Sequence, residues 1–192
     1  MVMTELTAKD ALIAVDVQND FCPGGALAVA DGDRVIPVLN DWLRRAAATD
    51  AVIVASRDWH PADHCSFSEQ GGPWPLHCVR ETEGAQFHPA LALPQDTLVV
   101  NKGEAQERDN YSAFDGTGLA ERLREQGVER IWVGGLAQDV CVKATVIDGC
   151  EAGFETHLIA AATRPVEVEP GDGERAIAAM RAAGARIEAD DA

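Results

Sequence analysis

At 192 residues, 46% of them hydrophobic and 25% charged, the chain is long enough to bury one sizeable core and too apolar to be disordered. Its formal net charge of −16 repels phosphate backbones, which excludes nucleic acid as a partner and leaves solubility as the use of the surplus acid. No apolar run approaches the ~18 residues of a membrane span. The N-terminal stretch MVMTELTAKD shows neither a basic leader nor a secretory apolar core, so the cytoplasm is the expected compartment.

Residues 11–17 (ALIAVDV) read as a first strand, followed by a helix over 33–48 that starts near Asp33. Residues 51–56 (AVIVAS) read as a second strand. The pattern then lapses over 57–94, a stretch rich in Pro, Gly, Trp and His with little periodicity. An insertion that long in a compact domain usually has a function. Beyond it come a strand at 97–100 (TLVV), a helix at 117–126 between Thr117 and Gly127, and a strand at 130–133 (RIWV). A helix at 139–151, a strand at 154–159 (FETHLI), a helix at 172–183 between Asp172 and Gly184, and a weaker strand at 186–188 complete the chain. This alternation predicts a single α/β domain over 1–192: three layers, α/β/α, around a mostly parallel six-stranded sheet, with the long insertion after the second strand.

Ligands of open α/β sheets sit beyond the carboxyl ends of the strands. Four consecutive strands deliver polar chemistry to that edge: Asp16 from the first, Asp58 and His60 from the second, Lys102 from the third, and Cys141 after the Gly-Gly turn of VGGLAQDVCV. Cys141 falls in the first turn of the predicted helix, where free N–H groups favour a thiolate, and Lys102 is expected to lower its pKa further. Asp16 is suited to carry the thiol proton, and the turn before the helix to supply oxyanion donors. The bland alternative is a buried cysteine beside an unrelated Asp–Lys ion pair. The other four cysteines, Cys22, Cys65, Cys78 and Cys150, form no CxxC pair and read as reduced thiols.

The insertion offers a second cluster. Asp58, His60 and His64 are followed by Trp74 and by His77 beside Cys78. One carboxylate with two or three imidazoles suits Zn²⁺, Mn²⁺ or Fe²⁺, and fewer than four protein ligands leave a position for water or substrate. A zinc ion that only staples the insertion is the alternative. Cys78 reads as buried, His88 and His157 as structural, and Phe21, Trp59 and Trp74 as packing or pocket walls. GxGxxG, GxxxxGK[ST] and GxSxG are all absent, which leaves dinucleotide binding, nucleoside triphosphate binding and serine hydrolysis without support.

The segments VDVQNDFCPGGAL, RDWHPADHCSF, WPLHCVRETEGAQFHP, NKG, YSAF and GLAQDVCVKATVIDG together resemble the nicotinamidase branch of the isochorismatase-like cysteine hydrolases. The resemblance implies an amide hydrolase of NAD salvage, acting on nicotinamide and pyrazinamide through a cysteine thioester. It implies Asp16, Lys102 and Cys141 as catalytic residues and the amides of Ala137 and Cys141 as the oxyanion hole, with a cis peptide before Ala137. It further implies one divalent metal ion on Asp58, His60 and His77, with His64 at a position that some members use as a fourth ligand. Phe21 and Trp74 match the aromatic walls around the pyridine ring. A small-molecule substrate, no nucleic acid or membrane, and a monomer or small homo-oligomer are the expected partners. An isochorismatase or carbamoyl-type amidase would share the fold but generally lacks the DWH…WPxHC set.

Overall fold

The computed structural model describes residues 5–188; the first four residues of the N-terminal stretch and residues 189–192 lie outside it. Six strands form one sheet: β1 (Asp10–Val15), β2 (Val52–Asp58), β3 (Leu98–Lys102), β4 (Arg130–Leu136), β5 (Glu155–Arg164) and β6 (Arg186–Glu188). Their order is β3-β2-β1-β4-β5-β6, and every neighbouring pair is parallel, so the expected mostly parallel sheet is wholly parallel. Helices α1 (Val35–Ala47), α2 (Leu119–Glu125), α3 (Lys143–Glu151) and α4 (Asp172–Ala182) cover its two faces.

Side chains alternate across a strand, and β1 shows the result. Leu12 packs with Leu39 and Leu43 of α1, whereas Ala11, Ile13 and Val15 pack with Leu123 of α2, Val146 of α3 and Met180 of α4. Both faces of the central strands are therefore buried, which is why they read as continuous apolar runs.

The helix starts differ from expectation. No side chain caps α1, which instead grows out of a 3-10 turn at Gly32–Arg34. The helix foreseen from 139 begins as a π-helical turn, Gln138–Val142, and becomes α-helical only at Lys143. Asp139 is not a cap there. Its carboxylate accepts the amides of Val166 and Glu167, at 2.8 and 2.9 Å, and so binds the loop after β5 to this turn.

The strand order reverses between β1 and β4, since β2 and β3 extend to one side of β1 and β5 and β6 lie beyond β4 on the other. At that boundary β4 comes very close to β1. A Cβ on Gly135 would sit 2.0 Å from the Val15 carbonyl oxygen, and its φ of +130° is open only to glycine. The Gly-Gly pair is thus what lets β4 end beside β1, with Asp16 and the Cys141 turn facing the same crevice.

Candidate active site and metal centre

Asp16 leaves β1 in the left-handed region, with φ of 49°, a conformation that Asp tolerates better than most residues. The turn takes its fully buried carboxylate to Ser56 Oγ, which donates to Oδ1 at 2.7 Å. Its other oxygen, Oδ2, lies 2.8 Å from Lys102 Nζ but receives no aligned hydrogen bond. Lys102 closes β3 and is itself buried. Its ammonium also pairs with Asp58 Oδ1 and reaches Cys141 Sγ and the Asn110 carbonyl oxygen, each at 3.4 Å. Cys141 sits inside the π-helical turn, 5% exposed. One cation thus touches two carboxylates and a thiol.

Burial decides the titration of this cluster, and charges adjust it. Burial raises Asp16 above the ordinary carboxylate value and Asp58 adds to the rise, while Lys102 opposes it. Burial also opposes ionisation of Asp58, but Lys102 and His60 outweigh it and hold that carboxyl well below the usual range. Lys102 stays charged because Asp16 and Asp58 overcome its own desolvation. For Cys141 the balance overturns the expected low pKa: burial, with Asp16 and Asp58 behind it, pushes the thiol well above its ordinary value against the pull of Lys102.

Asp58 has a second oxygen, Oδ2, which lies 3.5 Å from His60 Nε2 and 3.9 Å from His77 Nε2. One ligand atom from each of the three buried residues falls within 4.8 Å of the other two. The rings are held from behind. His60 Nδ1 meets the Gly103 carbonyl at 2.9 Å and His77 Nδ1 the Pro75 carbonyl at 2.7 Å. A carbonyl only accepts, so each Nδ1 carries a proton, and in the neutral ring Nε2 then has its lone pair on the Asp58 side. That donor set fits a divalent metal ion. Gly103 is required for it: a Cβ there would lie 2.3 Å from His60 Cε1.

His64 stands outside the donor set. Its ring stacks on His60 with centroids 4.1 Å apart, its Nε2 meets the Arg108 carbonyl at 3.0 Å, and its Nδ1 meets Ser66 Oγ at 2.7 Å. Both nitrogens are engaged away from the Asp58 carboxylate. Phe67 packs edge-on against His60 and His77. Phe21 lies against His77, centroids 5.6 Å apart, and the half-buried Trp74 donates from Nε1 to Tyr111 OH at 3.2 Å. Ala137 follows the cis peptide Leu136–Ala137, directly before the Cys141 turn.

Cys78 is buried and remains outside the ligand group, as read from its sequence. His157 stacks on Trp132 and pairs with Glu188, and the amide of Ala90 donates to His88; neither histidine belongs to the Asp58–His60–His77 group. Sequence reasoning missed Ser56, Gln18 and Phe67. Ser56, a polar residue inside an apolar strand two positions before Asp58, was the one with a legible signal.

The family described as Isochorismatase domain matches residues 10–190. The chain belongs to the isochorismatase family. Among its relatives, the nicotinamidase of Escherichia coli (strain K12) is 40% identical over 198 residues, covering 92% of this chain and 93% of its own. The isochorismatase fold is shared at a TM-score of 0.90 with the pyrazinamidase of Pyrococcus horikoshii solved in complex with zinc, 44% identical, covering 95% of this chain and 99% of that one. It is shared at 0.88 with PnC1 from L. infantum solved in complex with nicotinate, 36% identical, covering 97% and 96%.

Proposed function

We propose that this isochorismatase-family chain is a metal-dependent nicotinamidase, which hydrolyses nicotinamide to nicotinate and ammonia and accepts pyrazinamide as well. The observation that carries the reading is the buried Lys102 ammonium in contact with Asp16, Asp58 and Cys141, with Asp58 turning its other oxygen to His60 and His77. The likeness to relatives named nicotinamidase and to structures holding zinc or nicotinate supports the same substrate and metal.

In this reading Cys141 Sγ attacks the carboxamide carbon while Asp16 Oδ2, the oxygen without an aligned donor, takes the thiol proton. A carboxyl with a raised pKa is a better acceptor for that proton than an ordinary one. The amides of Ala137 and Cys141 donate to the developing oxyanion. Asp16 then gives the proton to the nitrogen, the C–N bond breaks, and ammonia leaves a thioester on Cys141. Water attacks the thioester, Asp16 takes its proton, the C–S bond breaks, and the proton returns to the sulfur. Lys102 holds the negative charge in place throughout. Phe21 and Trp74 flank the pyridine ring. A divalent ion (Zn²⁺, Fe²⁺ or Mn²⁺) on Asp58, His60 and His77 supplies a ligand position for the ring nitrogen.

The same reading takes residues 1–192 as one hydrolase domain in the cytoplasm, a monomer or small homo-oligomer without nucleic-acid or membrane partners. Its charge of −16 speaks against a nucleic-acid partner, and no helix of the described residues is long and apolar enough to cross a membrane. Ammonia release from nicotinamide by the zinc-loaded protein tests the activity, with Cys141→Ala as the blank. Absence of ammonia from the loaded wild type contradicts it.

A further inference from the structure

Strand β1 pairs with β2 only as far as Val15 against Ser56, because the chain turns away at Asp16. Asp58, two residues further along β2, is therefore flanked by β3 through Lys102 on one side and by no strand on the other. The backbone groups of a buried residue need partners on that open side. Gln18 supplies them. Its Oε1 accepts the Asp58 amide at 2.8 Å, and its Nε2 donates to the Asp58 carbonyl at 2.8 Å and to the Ala85 carbonyl at 2.9 Å. The side chain is fully buried. One side-chain amide thus stands in for the missing length of β1 and ties the Asp58 peptide to the far end of the insertion. Two residues on, Asp20 Oδ2 accepts the amide of Cys78, next to His77, at 2.7 Å. The short segment after Asp16 holds the backbone behind one donor of the Asp58–His60–His77 set and beside another.

We propose that Gln18 is a positioning residue for the metal centre. By fixing the Asp58 peptide it keeps one carboxylate oxygen on Lys102 and the other toward His60 and His77, and so sets metal affinity without touching the ion. This rests on the reading of those three residues as ligands. The Gln18 side chain makes its hydrogen bonds to backbone groups of Asp58 and Ala85, which separates its role from that of the ligands.

The test uses Gln18→Met, which keeps the bulk and removes every hydrogen bond, and Gln18→Glu, which keeps an acceptor for the Asp58 amide. Metal-stripped wild type and variants are titrated with zinc against a chromogenic chelator, and the melting temperature of each stripped protein reports packing separately. Folded Gln18→Met is expected to bind zinc ~10- to 100-fold more weakly than wild type, the range for groups that orient a ligand from behind, with Gln18→Glu between the two. Zinc affinity within twofold of wild type in folded Gln18→Met overturns the inference and leaves the ligand reading intact. Loss of the fold in both variants also overturns it, by assigning Gln18 to the stability of the sheet edge. A wild type that binds no zinc removes the ligand reading, and this inference falls with it.

Discussion

With Asp16 and Asp58 ionised and Lys102 protonated, the buried cluster already carries one surplus negative charge, so ionising Cys141 as well would add a second in a site with little water to screen it. The thiol therefore holds its proton at neutral pH, and in the proposed mechanism Asp16 is the group that removes it. Asp16→Asn preserves shape but cannot carry a proton; kcat is expected to fall ~10²-fold or more, with the fold unchanged by circular dichroism. Cys141→Ala is expected to release no ammonia while still binding zinc, because only the sulfur is removed. The raised thiol pKa fixes the direction of a pH profile. A group held above its ordinary value ionises only at higher pH, so alkylation of Cys141 in metal-stripped protein should accelerate toward alkaline pH. Iodoacetamide labelling that has already levelled off at neutral pH would contradict this. That Asp16, Lys102 and Cys141 gather at one edge of the sheet could be read from the sequence, because each is a reactive residue closing an apolar strand or following a glycine turn. The state of the thiol could not, since it depends on burial and on two carboxylates brought in from other strands.

The strands were legible as apolar runs, but their ends were not. β3 was expected to stop at Val100, yet it continues to Lys102 because parallel pairing carries on through Arg57–Asn101 and Asp58–Lys102, and the last pair sets Lys102 beside Asp58. β5 was expected to stop at Ile159 and runs to Arg164, through the alanines 160–162, whose composition gives no strand signal. The π-helical turn and the hydrogen bonds of Gln18 to the Asp58 peptide were equally silent, as both follow from how β1 and β4 end. At the opposite, amino-terminal edge of the sheet, Asp10 of β1 binds its register partner Arg130 of β4. It also accepts from Trp132 Nε1 at 2.8 Å and from the Thr7 amide and hydroxyl at 2.7 Å each. Burial opposes the charge, but these donors bring its pKa from 3.8 down to about 2. A depressed carboxyl stabilises the fold above its unfolded pKa of 3.8 and loses that contribution as pH falls through about 2. The shift corresponds to about 2 kcal/mol. Asp10→Asn should therefore lose on the order of 2 kcal/mol in urea unfolding at pH 7, and the deficit should shrink as the pH is lowered from 4 toward 2. A deficit that does not change with pH would assign the loss to packing.

At the scale of the whole molecule, the sheet order places the crevice between β1 and β4, and everything proposed for the site follows from which strand ends meet there. The insertion brings in His60 and His77 and packs its own Phe67 against both, while Phe21 from the turn after β1 lies against His77, so that a carboxylate from the sheet faces two imidazoles from a loop. Asp58 belongs to both halves, with one oxygen on Lys102 and the other toward the histidines. In the proposed function this joint site recognises a ring amide through its ring nitrogen as well as its carboxamide. Benzamide has the same ring size and the same carboxamide and lacks only that nitrogen. The deciding measurement is ammonia release from nicotinamide and from benzamide, on protein that is zinc-loaded, chelated, and reloaded, with the fold checked in each state. The loaded protein is expected to prefer nicotinamide by ~10²-fold or more, chelation to remove the activity while the fold persists, and zinc to restore it. Equal turnover of the two amides, or undiminished hydrolysis of nicotinamide by the chelated protein, would contradict it.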